Sequence, residues 1–115
     1  VSRALGAEAE ARAAQLLQRK GYRVADRNWT CKGGEIDLVC TDGDTLVFVE
    51  VRARKDASHG SPLETVGDVK RRRLIRAAKL YLTTKQLWDK ACRFDVVAID
   101  GDAVTHLEDA FQTTS

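Results

Sequence analysis

The chain has 115 residues, 43% of them hydrophobic and 31% charged, with a formal net charge of +2. That size and balance suit one soluble globular domain with a core of its own, and no apolar run approaches the roughly 20 residues of a membrane span. Cys31, Cys40 and Cys92 form no CxxC pair, and an odd number fits a disulfide framework poorly, which points to a reducing, cytoplasmic setting.

Residues 4–20 read as a helix. Leu5, Ala9, Ala13, Leu16 and Leu17 recur at helical spacing and Gly21 stops the run. The stretch from Val1 to Lys20 is Ala-rich and charged throughout, unlike a signal peptide; the start at Val1 rather than Met suggests that a few residues precede it. In "YRVADRNW", Tyr22 and Val24 alternate with Arg23 ahead of a turn-like "CKGG". "EIDLVC" and "TLVFVEVRA" are strands rich in Val, Ile and Phe, joined by "TDGD".

"SHGSPLE" is a loop that contains a helix start, with Ser61 as N-cap, Pro62 at the first helical position and Glu64 at the third. Gly67 ends or bends that turn. A longer helix is expected from about Asp68 to Thr83, with Val69, Leu74, Ala77, Ala78 and Leu82 apolar and the arginines mostly opposite. "RFDVVAI" is a further strand, Asp100-Gly101 a turn and "AVTHL" a short last strand. No repeat or linker divides the chain, so residues 1–115 form a single α/β domain. Its order is helix, three strands, helix and two strands, with helices flanking a mixed sheet.

The charge is unevenly spread. From Arg52 to Arg76 there are eight basic residues against three acids, a local +5, which leaves −3 on the other 90 residues. A basic stripe on a nearly neutral chain suits a phosphate-bearing partner. A solvated helix face would look the same.

Glu35, Asp37 and Glu50 stand inside strand-like runs, where charge is costly to bury. Alternation places Glu35 and Asp37 on one face of their strand, and Glu50 and Arg52 on one face of the next. An Asp42-Gly43 two-residue turn would set Glu35 opposite Glu50 and leave Asp37 diagonal to Glu50, roughly 7–8 Å away. A four-residue loop over 42–45 would set Asp37 opposite Glu50. A three-residue loop without a bulge would put the two acids on opposite faces.

Converging carboxylates repel unless a cation lies between them, and a hard divalent ion such as Mg²⁺, bound through oxygen, answers that need. Arg52 would add a fixed positive charge. Metal, acids and cation beside a basic helix suit phosphodiester hydrolysis. The plain alternative is a row of surface acids on the solvated face of an antiparallel sheet.

Asp37 followed by Glu50-Val51-Arg52 resembles the PD-(D/E)xK signature of restriction-endonuclease-like nucleases. "NWTCKGGEIDLV", "VFVEVRAR", Lys70 and "RFDVVAI" resemble more closely the YraN-like family of small bacterial endonuclease-like proteins, over nearly the whole chain from Gly6 to about Phe111. Gly6, Glu10 and Ala13 match the family's opening pattern, with Leu17 and Gly21 in step. The resemblance implies a restriction-endonuclease-like core. Similarity to archaeal Holliday-junction resolvases implies that Glu10 joins Asp37 and Glu50 as metal ligands, with Mg²⁺ or Mn²⁺ as cofactor and DNA, branched or otherwise structured, as substrate. Glu8 is the fallback for Glu10.

One position departs from the signature. Arg52 stands where those nucleases carry lysine; it can grip a phosphate with two donors but cannot act as a general base. Lys70, at the head of the basic helix, is the lysine that fold analogy turns toward the site. Arg54, Arg71, Arg72, Arg73 and Arg76 are candidates to track a phosphate backbone. Asp95 reads as a structural partner for an arginine, Trp29 and Trp88 as packing residues, His59 as a loop residue that touches substrate or is incidental, and Glu35 as an acid behind the metal ligands or merely at the strand edge. His59 and His106 lack finger-like spacing to the cysteines, against a structural zinc. A homodimer would suit a branched substrate, although no residue demands one.

Three functions follow from this reading: a metal-dependent nuclease (catalytic residues Asp37, Glu50, Arg52 and Glu10), a nucleic-acid-binding module without turnover, or a protein-interaction domain. Metal and DNA binding tell them apart.

Overall fold

The computed structural model describes residues 2–54 and 67–111, without the side chains of residues 2–5, Arg54 and Asp68. The expected helix start at Ser61, Pro62 and Glu64, and the loop histidine His59, lie outside the described residues. The elements are α1 (Ser2–Arg19), β1 (Arg23–Cys31), β2 (Gly34–Asp42), β3 (Thr45–Arg54), α2 (Asp68–Lys85), β4 (Ala91–Asp100) and β5 (Ala103–Phe111). This is the order expected from the sequence. No helix among the described residues is long and apolar enough to cross a membrane.

The strands form one sheet in the order β1-β2-β3-β4-β5. β3 and β4 run parallel and the other pairs antiparallel, because α2 carries the chain back between β3 and β4. Each face has its own core. Ala9, Ala13, Ala14 and Leu17 of α1 pack on Leu38, Cys40, Val47, Val49 and Val97; the alanines let the helix lie close. Leu74, Ala77, Ala78, Tyr81 and Leu82 of α2 pack on Ile36, Val39, Phe48, Phe94 and Phe111. Val69, expected on that stripe, is 55% exposed, while Tyr81 joins it by donating a hydrogen bond of 2.7 Å to Asp26. Trp29 packs edge-on against Tyr81. Trp88, also expected to pack, is 59% exposed, its indole N–H bound to Thr83.

The β2–β3 register corrects the expectation. Thr41 lies opposite Leu46 and Asp42 opposite Thr45, so the turn is Gly43-Asp44 rather than Asp42-Gly43. Gly43 has φ +60° and Asp44 is not among the residues with positive φ, the pattern of a type II′ hairpin. The register matches that foreseen for a four-residue loop, tightened to two residues. It pairs Cys40 with Val47 in the core and moves Thr45 out to the turn.

A second correction sits at Asp37. Ile36 belongs to the α2-side core and Leu38 to the α1-side core, so residues two apart do not share a face across this point. The parity drawn from Glu35 to Asp37 fails there. Asn28 lies between the pairs Arg27–Leu38 and Trp29–Ile36 and has φ 51°, so both strands kink together.

Gly34 locks the β1–β2 hairpin onto α2. A Cβ at this position would lie 2.6 Å from the Arg73 carbonyl oxygen and 3.3 Å from Ala77 Cβ. Gly34→Ala is therefore expected to cost about 1–3 kcal/mol in urea unfolding, whereas Gly6→Ala, with nothing within 4 Å, should be neutral or mildly stabilising. Equal stability of wild type and Gly34→Ala would show that the hairpin shifts freely.

Candidate metal and nucleic-acid site

The paired part of β2 and β3 ends at Leu38 opposite Val49. Just beyond it, the Val51 N–H donates to Asp37 Oδ2 at 2.8 Å, so a side chain takes over where the ladder stops. β3 stays paired with β4 through Arg54, and its outer half, with Glu50 and Arg52, runs along the resulting opening. Asp37 is thereby fixed between the two strands.

Glu50 lies on the α2 side of β3 and is only 2% exposed. Lys70 Nζ approaches its Oε1 to 2.9 Å from the first turn of α2, and Arg52 Nη1 stands 3.9 Å from the same oxygen. Lys70 is thus the close partner of that oxygen, and among the described residues the Arg52 Nε is a buried polar atom without a hydrogen-bond partner. Burial, followed by the negative charge of Asp37, pushes the Glu50 carboxyl up to about 7; the contact and charge of Lys70 pull against that, and a carboxyl–carboxyl contact with Asp37 adds to it.

Glu10 is half-buried on α1. Its carboxyl is raised by burial, a bond with Asn28 acts the other way, and the charges of Asp37 and Glu35 raise it further. Glu10 thus feels Asp37 from the α1 side, while Glu50 meets Asp37 from the α2 side. Glu8 is exposed. Among the described residues, no three acid, histidine or cysteine side chains stand close enough together to hold a metal ion; the expected trio is a contacting pair, Asp37 and Glu50, with Glu10 across the kink. That pair suits a hard divalent cation in its chemistry, offering the oxygens of two contacting carboxyls, one of them raised by burial and by the other's charge.

A cleft of about 420 Å³ opens over Glu50, between α2 and the β1–β2 hairpin. The basic residues of α2 divide around it. Lys70 and Arg73 line the cleft, and Arg76 lays its guanidinium against Gly33, 3.5 Å from where a Cβ would sit. Arg71 instead turns to Phe111, 5.4 Å from the ring centroid, and Arg72 is exposed. Arg54 has no described side chain.

Asn28 was not foreseen from the sequence, and of the second polar cluster, at the far side of the sheet, only Asp95 and its arginine were. Asp95, fully buried, accepts from Arg93 Nε at 3.0 Å, from the Asp109 N–H at 3.0 Å and from His106 Nε2 at 2.7 Å. Lys20 Nζ lies 2.8 Å from His106 Nδ1. An ammonium can only donate, so Nδ1 accepts and Nε2 carries the proton given to Asp95. The expected arginine partner of Asp95 is thus Arg93.

The family model "Uncharacterised protein family UPF0102" matches residues 9–99, a span that holds Glu10, Asp37, Glu50, Arg52 and Lys70. Similar chains named "UPF0102 protein" include one from Pseudomonas syringae pv. syringae, 51% identical over 84% of this chain and 80% of its own. Another, from Chromohalobacter salexigens, is 55% identical over 87% and 80%, and one from Nitratidesulfovibrio vulgaris is 47% identical over 96% and 86%.

Proposed function

This chain belongs to the uncharacterised family UPF0102, and on that premise we propose that it is a metal-dependent nuclease that hydrolyses phosphodiester bonds in DNA, built on a restriction-endonuclease-like core. The observation that carries the reading is Glu50, a buried carboxylate that meets Asp37 on one hand and the Lys70 ammonium on the other, in the lining of a cleft with basic residues.

Asp37 and Glu50 would hold Mg²⁺ or Mn²⁺, with Glu10 the nearest further acid. A bound divalent ion supplies an activated water and polarises the phosphate. The Val51 N–H keeps Asp37 oriented. Lys70 and Arg52 bring two positive charges to Glu50, where they counter negative charge growing on a phosphate oxygen. Arginine cannot act as a general base, so Arg52 serves as an electrostatic group only. Lys70, Arg73 and Arg76 grip the strand on either side.

The second reading is a binding module that keeps the basic surface without turnover. Lys70 already pairs with Glu50, and a signature lysine is replaced by Arg52. Cleavage of junction, flap and single-stranded DNA with Mg²⁺ or Mn²⁺ separates the two. The enzyme is expected to cut at least one of them, and Asp37→Ala to reduce the rate by roughly 10²-fold or more while still binding DNA in Ca²⁺. Salt-dependent DNA binding without cleavage by the wild type in either metal would leave the binding module.

A further inference from the structure

We infer that the substrate strand reaches Glu50 as an unpaired nucleotide held in the cleft between the β1–β2 hairpin and α2, so that single-stranded, flapped or bulged nucleic acid is the substrate class rather than continuous duplex. This rests on the nuclease reading of the same site. Glu50 is almost wholly shielded from solvent, and a duplex presents its phosphates on the convex outside of a cylinder. A surface of that kind meets the rim of a cleft before it meets a side chain shielded inside. A nucleotide released from the stack can enter.

The dimensions and lining agree. At about 420 Å³ the cleft is of the size that encloses a small ligand, about 300–1,000 Å³. Gly34 packs closely on the α2 backbone at Arg73, so hairpin and helix meet beside the cleft. Cys31 and Leu74 offer apolar surface, and Thr30, Glu35 and the Gly33-Gly34 peptides offer polar edges, a mixture that suits a base more than a bare phosphate. Lys70 and Arg73 in the lining and Arg76 against Gly33 lie on the hairpin side of α2, where they can hold the phosphates before and after that nucleotide.

Fluorescence anisotropy of the full chain in Ca²⁺, the ion used above for binding, tests this. One mixed sequence is presented as a single strand, a blunt duplex and a duplex with one central bulged nucleotide, at equal salt. The single strand and the bulge are expected to bind about tenfold tighter or more than the blunt duplex. Thr30→Trp, which fills the cleft from its wall, should bring both down to the duplex level, and Glu35→Trp does the same from the neighbouring strand should the first variant not fold. A blunt duplex bound as tightly as the single strand, or a preference that survives both fillings, overturns the inference and leaves the nuclease reading standing. If the wild type binds none of the three, the nucleic-acid reading itself falls.

Discussion

Glu50→Gln is expected to make the protein more stable than wild type at pH 8, by about 3 kcal/mol in urea unfolding. The folded carboxyl sits at about 7 against an ordinary 4.5, and each tenfold change in proton affinity is worth about 1.4 kcal/mol. A raised carboxyl binds its proton more tightly in the folded than in the unfolded state. Below pH 4.5 both states hold the proton and Glu50 costs nothing relative to glutamine. Between 4.5 and 7 the unfolded state releases it first, so wild-type stability falls as pH rises, and above 7 the whole penalty is present. The gap between Glu50→Gln and wild type should therefore open across that window and then level off. Asp37→Asn removes the negative charge that contributes to the shift, so it should move the Glu50 carboxyl back toward its ordinary value, as read by carbon-detected NMR titration. A gap that is flat with pH would mean that Lys70 and Arg52 already neutralise Glu50. The expected gain fits a residue kept for chemistry rather than for stability. Bound Mg²⁺ should recover part of the difference in the wild type and none in Glu50→Gln.

Asp95→Ala should do the opposite and lose on the order of 3–5 kcal/mol at pH 7, the cost of breaking a buried charge network from one side. Burial alone would raise the Asp95 carboxyl, but the bonds from His106, Arg93 and the Asp109 N–H together outweigh it and hold the group below its ordinary 3.8. Its stabilisation is present above that value and is lost as pH falls through the lower, folded one. The destabilisation of Asp95→Ala should therefore shrink in acid. The substitution strands His106 Nε2 and the Asp109 N–H and frees Arg93, which also contacts Tyr22 and Asp42. Asp95 thus ties β4 to β5 and, through His106 and Lys20, to the end of α1. A loss below about 1 kcal/mol in urea at pH 7, which surface ion pairs typically give, would mean that water replaces the carboxylate freely.

The two acids differ in their partners more than in their burial. Asp95 receives four hydrogen bonds from three residues, whereas Glu50 has the Lys70 and Arg52 charges and a carboxyl neighbour. In the sequence both are lone acids inside apolar strands. "RFDVVAI" suggested an arginine partner for Asp95, and Arg93 two residues away is legible as one. His106 and Lys20 are not, because strand pairing and the end of a distant helix bring them there. Trp88 shows the same limit. Its type argues for packing, yet it lies in the segment after α2, on the rim of an apolar hollow with Ile75 and Leu82, with its indole N–H bound to the Thr83 hydroxyl.

By itself the sequence determined the element order, most of both helix faces, with Val69, Tyr81 and Ala14 the exceptions, and the choice of Asp37 and Glu50 as the strand acids to watch; Lys70 came from the family resemblance. Those features depend on periods of two and 3.6 residues and on turn residues, which act over a few positions. The tertiary structure decided the rest. It chose Gly43-Asp44 as the turn, since burying Cys40 against Val47 outweighed the Asp-Gly preference. It broke the alternation at Asp37, where the kink opposite Asn28 sets the acid between two faces of the sheet. It also sorted the basic residues of α2 into those at the cleft and one against Phe111. These are contacts between residues far apart in the chain, and their energies appear only once the layers pack, so no local pattern carries them.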